Sequence, residues 1–349
     1  MMRGPVPRRV LLTQQGNGDP LMSFTNPDVL FAINAVRGLA RLGRTIQANT
    51  VSESLTKKDR SPVTIADFAI QAIFSKALSD HAPDDILVGE EQSGALRESD
   101  AAPMLDRITD FVSGEVSGAT RDDVCDWIDR GTADPGDRYW TLDPIDGTKG
   151  FLRNAQYAVA LALVENGRVR LGVLGCPELA DPVAGVQGAP GAVLAAERGQ
   201  GTWCQPLDES SALTRVHVSD IRDGAQARLL RSVESGHTNT GRMGRIVETL
   251  GVRADPVLMD SQAKYAVLAA GGGDALFRLL NENQLDYKEC IWDQAAGSIV
   301  VEEAGGKVTD LSGADLDFGQ GRTLANNAGV VATNGHLHEA ALDAIAKTA

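Results

Sequence analysis

Six carboxylates lie at points where the chain passes from one predicted element to the next. They are Asp67, Glu90, Glu91, Asp143, Asp146 and Asp293. The proline and glycine around Asp143 and Asp146 enforce a tight turn, which allows both carboxylates and the carbonyl of Ile145 between them to converge. Oxygen ligands in this number suit a hard cation such as Mg²⁺ rather than zinc.

Each of these acids, taken singly, is also typical of ordinary structure. Asp67 is expected in the first turn of a helix capped by Thr64, where a carboxylate compensates the helix dipole. Asp-Pro and Asp-Gly pairs are common in turns. The functional interpretation therefore depends on the whole set, because without a cation these acids would repel one another or take up protons.

The composition restricts the partners and the location of the chain. Its 349 residues include 33 Lys and Arg against 47 Asp and Glu, a net charge of -14, which argues against a binder of nucleic-acid polymers. No apolar run approaches the ~18 residues that span a bilayer, so no membrane partner is expected. The four cysteines, Cys125, Cys176, Cys204 and Cys290, are widely spaced, which predicts reduced thiols in the cytoplasm.

Hydrophobic periodicity divides the chain into a tail and two domains. Residues 1–21 have no apolar stretch long enough for a signal peptide and are predicted to be a disordered tail. Residues 22–212 are predicted to form an α+β metal-binding domain, with an insertion or lid of one or two short helices at about 95–138. Residues 213–349 alternate strands with helices, as is typical of an α/β domain. The resemblance described below implies that this domain binds a nucleotide.

Several elements can be assigned locally. A helix is predicted to follow Asn26-Pro27 and to extend to about Ile46. The clearest hairpin covers residues 157–174 around the turn pair Asn166-Gly167. Asp293 is predicted to open a helix that Gly305-Gly306 closes.

Three separated motifs occur in a characteristic order. They are Gly89-Glu90-Glu91, Asp143-Pro144-Ile145-Asp146-Gly147-Thr148 and Trp292-Asp293-Gln294-Ala295-Ala296-Gly297, with Ser61-Pro62-Val63-Thr64-Ile65-Ala66-Asp67 upstream. From about residue 24 to 345 the chain resembles the lithium-sensitive, magnesium-dependent phosphatases related to inositol monophosphatase. Within that superfamily, the continuation Lys149–Arg153 and the segments Ser232–His237 and Asp260–Tyr265 resemble the 3'(2'),5'-bisphosphate nucleotidases.

The resemblance implies a fold and a set of site residues. The fold is α/β with αβαβα layers: an N-terminal α+β domain containing an antiparallel sheet, and a C-terminal α/β domain. Two or three Mg²⁺ ions would be held by Glu90, Asp143, the Ile145 carbonyl, Asp146 and Asp293. Asp67 and Thr148 would orient and deprotonate the attacking water. The substrate would contact Thr148, His237, Ser261, Lys264, Arg278 and Asp293.

The resemblance also implies a reaction, and two alternatives stay open beside it. The expected enzyme is a lithium-sensitive monomer that hydrolyses the 3'-phosphate of adenosine 3',5'-bisphosphate to AMP and phosphate, with 3'-phosphoadenylyl sulfate as a second substrate. One alternative is a phosphatase for inositol phosphates or other sugar phosphates, against which the segment with Ser261 and Lys264 argues. The other is a non-catalytic nucleotide and metal sensor, which the presence of both Asp67 and Thr148 disfavours.

Overall fold

The computed structural model describes residues 24–54, 62–208, 212–233, 240–280 and 286–348. The predicted tail at 1–21 and the predicted substrate residue His237 lie outside these residues. The helices in the described ranges are α1 (Pro27–Ser54), α2 (Pro62–His81), α3 (Ala102–Glu115), α4 (Arg121–Asp129), α5 (Thr148–Leu152), α6 (Thr240–Leu250), α7 (Ala263–Ala269), α8 (Ala295–Glu303) and α9 (His338–Lys347).

The strands in the same ranges form two large sheets and a small hairpin. They are β1 (Ile86–Gly89), β2 (Arg138–Asp146), β3 (Ala158–Glu165), β4 (Arg168–Cys176), β5 (Leu179–Asp181), β6 (Val186–Gln187), β7 (Ala192–Glu197), β8 (Gly201–Pro206), β9 (Thr214–Val216), β10 (Leu229–Arg231), β11 (Val257–Leu258), β12 (Ala275–Arg278), β13 (Lys307–Thr309) and β14 (Val330–Thr333). The first sheet has the order β1-β2-β3-β4-β7-β8-β9, the second β11-β10-β12-β14-β13, and β5 pairs with β6.

The two sheets differ in strand direction. In the first, β1 runs parallel to β2, and every other neighbouring pair is antiparallel. In the second, β10 runs parallel to β11 and β12, whereas β14 is antiparallel to both β12 and β13. The hairpin predicted over residues 157–174 is confirmed as β3 and β4, because Asn166 and Gly167 have φ values of 50° and 72°, as a tight two-residue turn requires.

Five layers stack in the order αβαβα. Helices α1 and α2 pack on one face of the first sheet, and α7 and α8 lie between its other face and the second sheet. Helices α6 and α9 cover the outer face of the second sheet. The layered α/β fold expected from the sequence is therefore confirmed.

Small residues on the first sheet let α8 approach closely. Along β3, Ala158, Ala160 and Ala162 belong to the cluster on the α8 side, whereas the larger residues between them belong to the cluster on the α1 side. On β4, a Cβ atom added to Gly172 would lie 2.5 Å from Cγ2 of Ile299 in α8. The backbone of α8, which follows Asp293, is thus held directly against the sheet that carries Asp143 and Asp146.

Two local predictions about helix ends are wrong. Helix α1 extends to Ser54 rather than to about Ile46, since residues 47–54 contain no proline or glycine and Gln47 donates a hydrogen bond to the Phe151 carbonyl at 2.7 Å. Helix α2 begins at Pro62, a residue favoured in the first helical turn, so Thr64 lies within the helix and does not cap it. Asp67 consequently lies beyond the first turn, where a dipole-compensating role has little effect.

The segment predicted as an insertion at about 95–138 is packed against the helical layer. It contains α3 and α4, both of which contact α2, after two short 3₁₀ turns at Gly94–Arg97 and Ser99–Ala101. Its last residues reach the first sheet, where Thr132 forms a β-bridge with Val88. Its role as a lid stays a prediction. The domain division at residue 212 also stays a prediction, and β9, which follows that residue, pairs with β8 of the first sheet.

All four cysteines are free, and Cys125 and Cys176 are buried; a reducing location stays a prediction. Within the described ranges, no helix has both the length and the apolar character needed to cross a membrane.

We expect Gly172→Ala to destabilise the protein by about 1–3 kcal/mol, because the added methyl group must push α8 away from β4. The matched control is Gly38→Ala within α1, where a Cβ would meet nothing within 4 Å. Because alanine favours a helix more than glycine does, this variant should have a free energy of unfolding that is higher by ~0.5–1 kcal/mol. Urea unfolding monitored by circular dichroism measures both changes. Equal free energies of unfolding for the two variants would contradict the tight packing between α8 and the sheet.

Candidate functional site

The turn after β2 is the centre of the candidate site. Asp143 pairs with Ala160 of β3 and Asp146 with Ala158, so β2 contains one extra residue and forms a bulge. A bulge bends its strand and changes the direction in which the next side chains point. Gly147 follows with φ of 93°, and a Cβ at this position would lie 2.8 Å from the Cβ of Ser261. The glycine is therefore required both by its backbone conformation and by the close approach of the Ser261 turn.

A cavity of about 440 Å³ brings the sequence-predicted residues together. Nine of them line it: Glu90, Asp143, Ile145, Asp146, Thr148, Ser261, Lys264, Arg278 and Asp293. Asp67 is buried on α2, close enough to Glu90, Glu91 and Asp143 for their charges to interact. The cavity thus joins the ends of β1 and β2, the turn before α7, strand β12 and the segment before α8.

Burial and mutual repulsion raise the pKa of the clustered carboxyl groups. The pKa values of Asp67, Asp143 and Asp293 lie well above their usual range, first because the groups are buried and then because other carboxylates surround them. The same two causes raise the pKa of Glu91 to about 7. Burial and the charge of Asp146 also raise the pKa of Glu90, although the neighbouring Asp143 acts in the opposite direction.

The chemistry of this cluster fits a divalent cation. Oδ1 of Asp143 is buried and has no hydrogen-bond partner, and the cluster offers only oxygen donors, as Mg²⁺ prefers. Across the described ranges, no group of three or more His, Cys, Asp or Glu side chains already stands in a metal-binding arrangement. A bound cation would offset the repulsion among these carboxylates and allow their ionised forms to converge on one point.

Gln262 connects the three parts of the site. Its backbone N–H donates to Oδ2 of Asp146 at 2.5 Å, which fixes one carboxylate of the central turn. Its side chain donates to the Trp292 carbonyl at 3.0 Å and accepts from the Gly297 N–H at 3.0 Å. The neighbouring Ser261 has φ of 65°, an uncommon conformation for a residue other than glycine. The turn before α7 is therefore held in one geometry against both acidic motifs.

Two cations face the carboxylates across the cavity. Lys264 is enclosed near Asp146 and Asp260, and burial lowers its pKa to about 8 although both acids act in the opposite direction. Arg278, on β12, forms an ion pair with Glu289, with Nε and Oε1 2.9 Å apart. We refer to the part of the wall with Glu90, Asp143, Asp146 and Asp293 as the acidic half, which is suited to a metal. We refer to the part with Lys264 and Arg278 as the basic half, in which Asp260 and Glu289 partly offset the two positive charges.

Sequence reasoning missed some of the residues that build these walls. Glu289, only 3% exposed, holds Arg278 and accepts a hydrogen bond from Gln294 at 3.2 Å. The one signal for it was indirect, because an arginine within an apolar strand needs an acidic partner. Arg231 at the end of β10 was also missed, and it lines the cavity beside Ser232, the first residue of the predicted segment Ser232–His237.

Thermal unfolding at different pH values tests the acidic half. The raised pKa values mean that, between about pH 5 and 7, these carboxyl groups bind more protons in the folded protein than in the unfolded chain, where acids ionise near pH 4. They outnumber His338, whose pKa is lowered to about 4 and whose effect on stability has the opposite sign. In chelator we therefore expect the Tm to fall as pH rises through this window. The rise in Tm caused by Mg²⁺ should grow with pH, because ionised carboxylates bind the cation.

Sodium chloride at the same ionic strength is the control for simple charge screening. A Mg²⁺-dependent rise in Tm that stays constant from about pH 5 to 7.5 would contradict a metal site made of these carboxylates.

Comparison with known proteins agrees with this architecture. A 3'(2'),5'-bisphosphate nucleotidase of Schizosaccharomyces pombe is 40% identical over 344 residues, covering 93% of this chain and 96% of that protein. A 3'(2'),5'-bisphosphate nucleotidase of Oryza sativa is 40% identical, with 95% and 96% covered. The structure of an IMPase from Thermotoga maritima has a TM-score of 0.59 at 22% identity, with 92% and 97% covered, and so supports the fold.

The model of one protein family, described as "Inositol monophosphatase family", matches residues 24–348. This match covers almost the whole chain and includes all of the motifs that contribute to the cavity. The chain belongs to the inositol monophosphatase family.

Proposed function

We propose that this chain hydrolyses the 3'-phosphate of adenosine 3',5'-bisphosphate to give AMP and inorganic phosphate, and that it also accepts 3'-phosphoadenylyl sulfate. The observation that carries the proposal is the division of one cavity into an acidic half and a basic half. The name shared by relatives at about 40% identity over nearly the whole chain supports the same reaction.

The basic half favours a substrate with a second anionic group. Lys264 and Arg278 lie on neighbouring elements of the cavity wall, and an ammonium and a guanidinium group are common partners for phosphate. Ser261 lies between this half and Asp146, with a hydroxyl suited to a sugar or phosphate oxygen. An inositol monophosphate carries one phosphate and would place no second anionic group of the substrate beside Lys264 and Arg278.

The inositol monophosphatase family is generally dependent on Mg²⁺ and sensitive to lithium. Two or three ions would be held by Glu90, Asp143, the Ile145 carbonyl, Asp146 and Asp293. When bound, Mg²⁺ supplies Lewis-acid stabilisation of the phosphoryl oxygens and lowers the pKa of water.

The proton movements are assigned to two residues of the chain. Asp67, whose pKa burial raises well above its usual range, is suited to accept a proton from the attacking water. The Thr148 hydroxyl can accept from this water and donate onward to Asp67. The bond between phosphorus and the ribose 3'-oxygen breaks, that oxygen takes a proton from solvent, and inorganic phosphate is released.

We also propose that the enzyme is cytoplasmic and monomeric, and that His237 contributes to nucleotide binding. Four free cysteines are compatible with a reducing compartment.

Asp146→Asn should lower the rate of phosphate release by more than about 100-fold, because it removes one negative charge from the metal ligands. Loss of a residue that only orients a ligand typically costs about 10–100-fold in metal affinity or activity, and loss of a ligand itself should cost more. Asp80→Asn is the matched control, because Asp80 pairs with Lys76 on an exposed part of α2 and should leave the rate unchanged. Initial rates at saturating substrate, with circular dichroism to verify folding, give the comparison. Hydrolysis by Asp146→Asn at the parent rate would show that the metal assignment is wrong.

Phosphate release from adenosine 3',5'-bisphosphate and from inositol 1-phosphate, each with Mg²⁺, with chelator and with added Li⁺, tests the substrate. We expect release from the nucleotide that requires Mg²⁺ and decreases with Li⁺. Release from the inositol ester alone would retain the metal site and overturn the nucleotide assignment. Nucleotide binding without release from either ester would favour the sensor alternative.

A further inference from the structure

We propose that Gln71 and Arg322 are positioning residues that hold the backbone on both sides of Glu90 and thereby set the affinity of the site for divalent metal. The inference rests on the metal site of the proposed function. It concerns residues outside the cavity wall and assigns them no contact with the substrate.

Gln71 binds the backbone of Glu91 as a neighbouring strand would. Its Oε1 accepts from the Glu91 N–H at 3.0 Å, and its Nε2 donates to the Glu91 carbonyl at 2.7 Å. The same Nε2 donates to the Ile128 carbonyl at the end of α4, at 2.8 Å. Gln71 is fully buried on α2, one helical turn after Asp67 and therefore on the same face of the helix. It thus fixes the acidic segment relative to the residue assigned as the base.

Two glycines make room for this side chain. A Cβ at Gly89 would lie 2.4 Å from Oε1 of Gln71, and a Cβ at Gly131 would lie 2.5 Å from its Nε2. Neither glycine has a positive φ value, so backbone conformation does not require glycine at these positions. The close approach of the Gln71 side chain does. The segments before Glu90 and after α4 therefore both enclose the Gln71 amide.

Arg322 holds the other side of Glu90. Its Nη2 donates to the Gly89 carbonyl at 2.5 Å, and its Nη1 donates to the carbonyls of Gly131 and Ala133, each at 3.0 Å. Its guanidinium carbon lies 5.0 Å from the centre of the Trp292 ring, a cation–π distance. Trp292 directly precedes Asp293. Arg322 therefore ties the segment that carries Glu90 to the segment that carries Asp293.

These contacts oppose the movement that the carboxylates would otherwise make. Glu90 lies among Asp143, Asp146 and Asp293, whose charges repel it when they are ionised. A backbone held on both sides cannot withdraw to relieve this repulsion, so the ligands stay near the positions that a cation needs. Loss of residues that orient metal ligands typically weakens metal binding by about 10–100-fold.

The closing experiment is direct titration of each protein with Mn²⁺ in the absence of nucleotide, by calorimetry or electron paramagnetic resonance. Arg322→Lys keeps the charge but loses the planar donor group, and Gln71→Met keeps the size but loses the three hydrogen bonds. For each we expect Mn²⁺ affinity to fall about 10–100-fold. The Mg²⁺ concentration for half-maximal phosphate release should rise in parallel, with kcat at saturating Mg²⁺ and KM for nucleotide nearly unchanged.

Arg198→Lys is the matched control. Arg198 also donates to a backbone carbonyl, that of Val169, and pairs with Glu302, but neither partner adjoins a residue assigned to the metal. It should lose thermal stability without any change in Mn²⁺ affinity. A purely structural role for Arg322 would give the same result in Arg322→Lys.

Parent-like Mn²⁺ affinity in Arg322→Lys would overturn the proposal, and so would parent-like affinity in a folded Gln71→Met. A parent protein that binds Mn²⁺ but releases no phosphate would contradict the proposed function alone, since the titration still compares the variants. A parent that binds no Mn²⁺ would overturn both.

Discussion

Repulsion among buried carboxylates is the constraint on which the rest of this structure depends. Glu90, Asp143, Asp146 and Asp293 come from three separate motifs, and burial together with their mutual charge opposes ionisation of the set. A flexible framework would relieve this cost by moving the acids apart, and it would then lose the ability to bind a cation at one point. The protein must therefore supply rigidity from elements that are not themselves acidic.

The layered fold supplies much of this rigidity. The first sheet is covered by helices on both faces, so the ends of β1 and β2 cannot shift without disturbing two hydrophobic clusters. Gly172 lets α8 lie against the same sheet, which fixes the segment that carries Asp293. The remaining freedom is in the short turns, and Gln262, Gln71 and Arg322 bind the backbone of those turns at Trp292, Glu91 and Gly89. Hydrophobic packing positions the layers, and hydrogen bonds to backbone groups position the ligands.

The sequence predicts the local parts of this design better than the long-range ones. The order of the acidic motifs, the turn at Asp143–Thr148 and the β3–β4 hairpin follow from short spacings with clear turn chemistry. The prediction of Thr64 as a cap is wrong because Pro62 and Thr64 both suit a helix start, and a local pattern does not distinguish between them. Arg322 contacts Gly89 across 233 positions of the chain, a pairing that no periodicity reveals.

Gln71 illustrates a different limit. Its position one turn after Asp67 is readable from the sequence, but a glutamine on a helix is usually solvated, and only the fold shows that it is buried among backbone groups.

The two halves of the cavity are linked electrostatically through Asp146. This carboxylate lies near Lys264 and Arg278 as well as near the other acids, and both cations favour its ionised form against the cost of burial. Lys264 in turn depends on Asp146 and Asp260 to retain its proton near neutral pH, because burial lowers its pKa to about 8. A metal that neutralises Asp146 weakens the attraction that keeps Lys264 protonated, and an anion bound beside Lys264 restores that attraction. Charge balance therefore favours a cavity in which a divalent cation and a second anionic group are bound together.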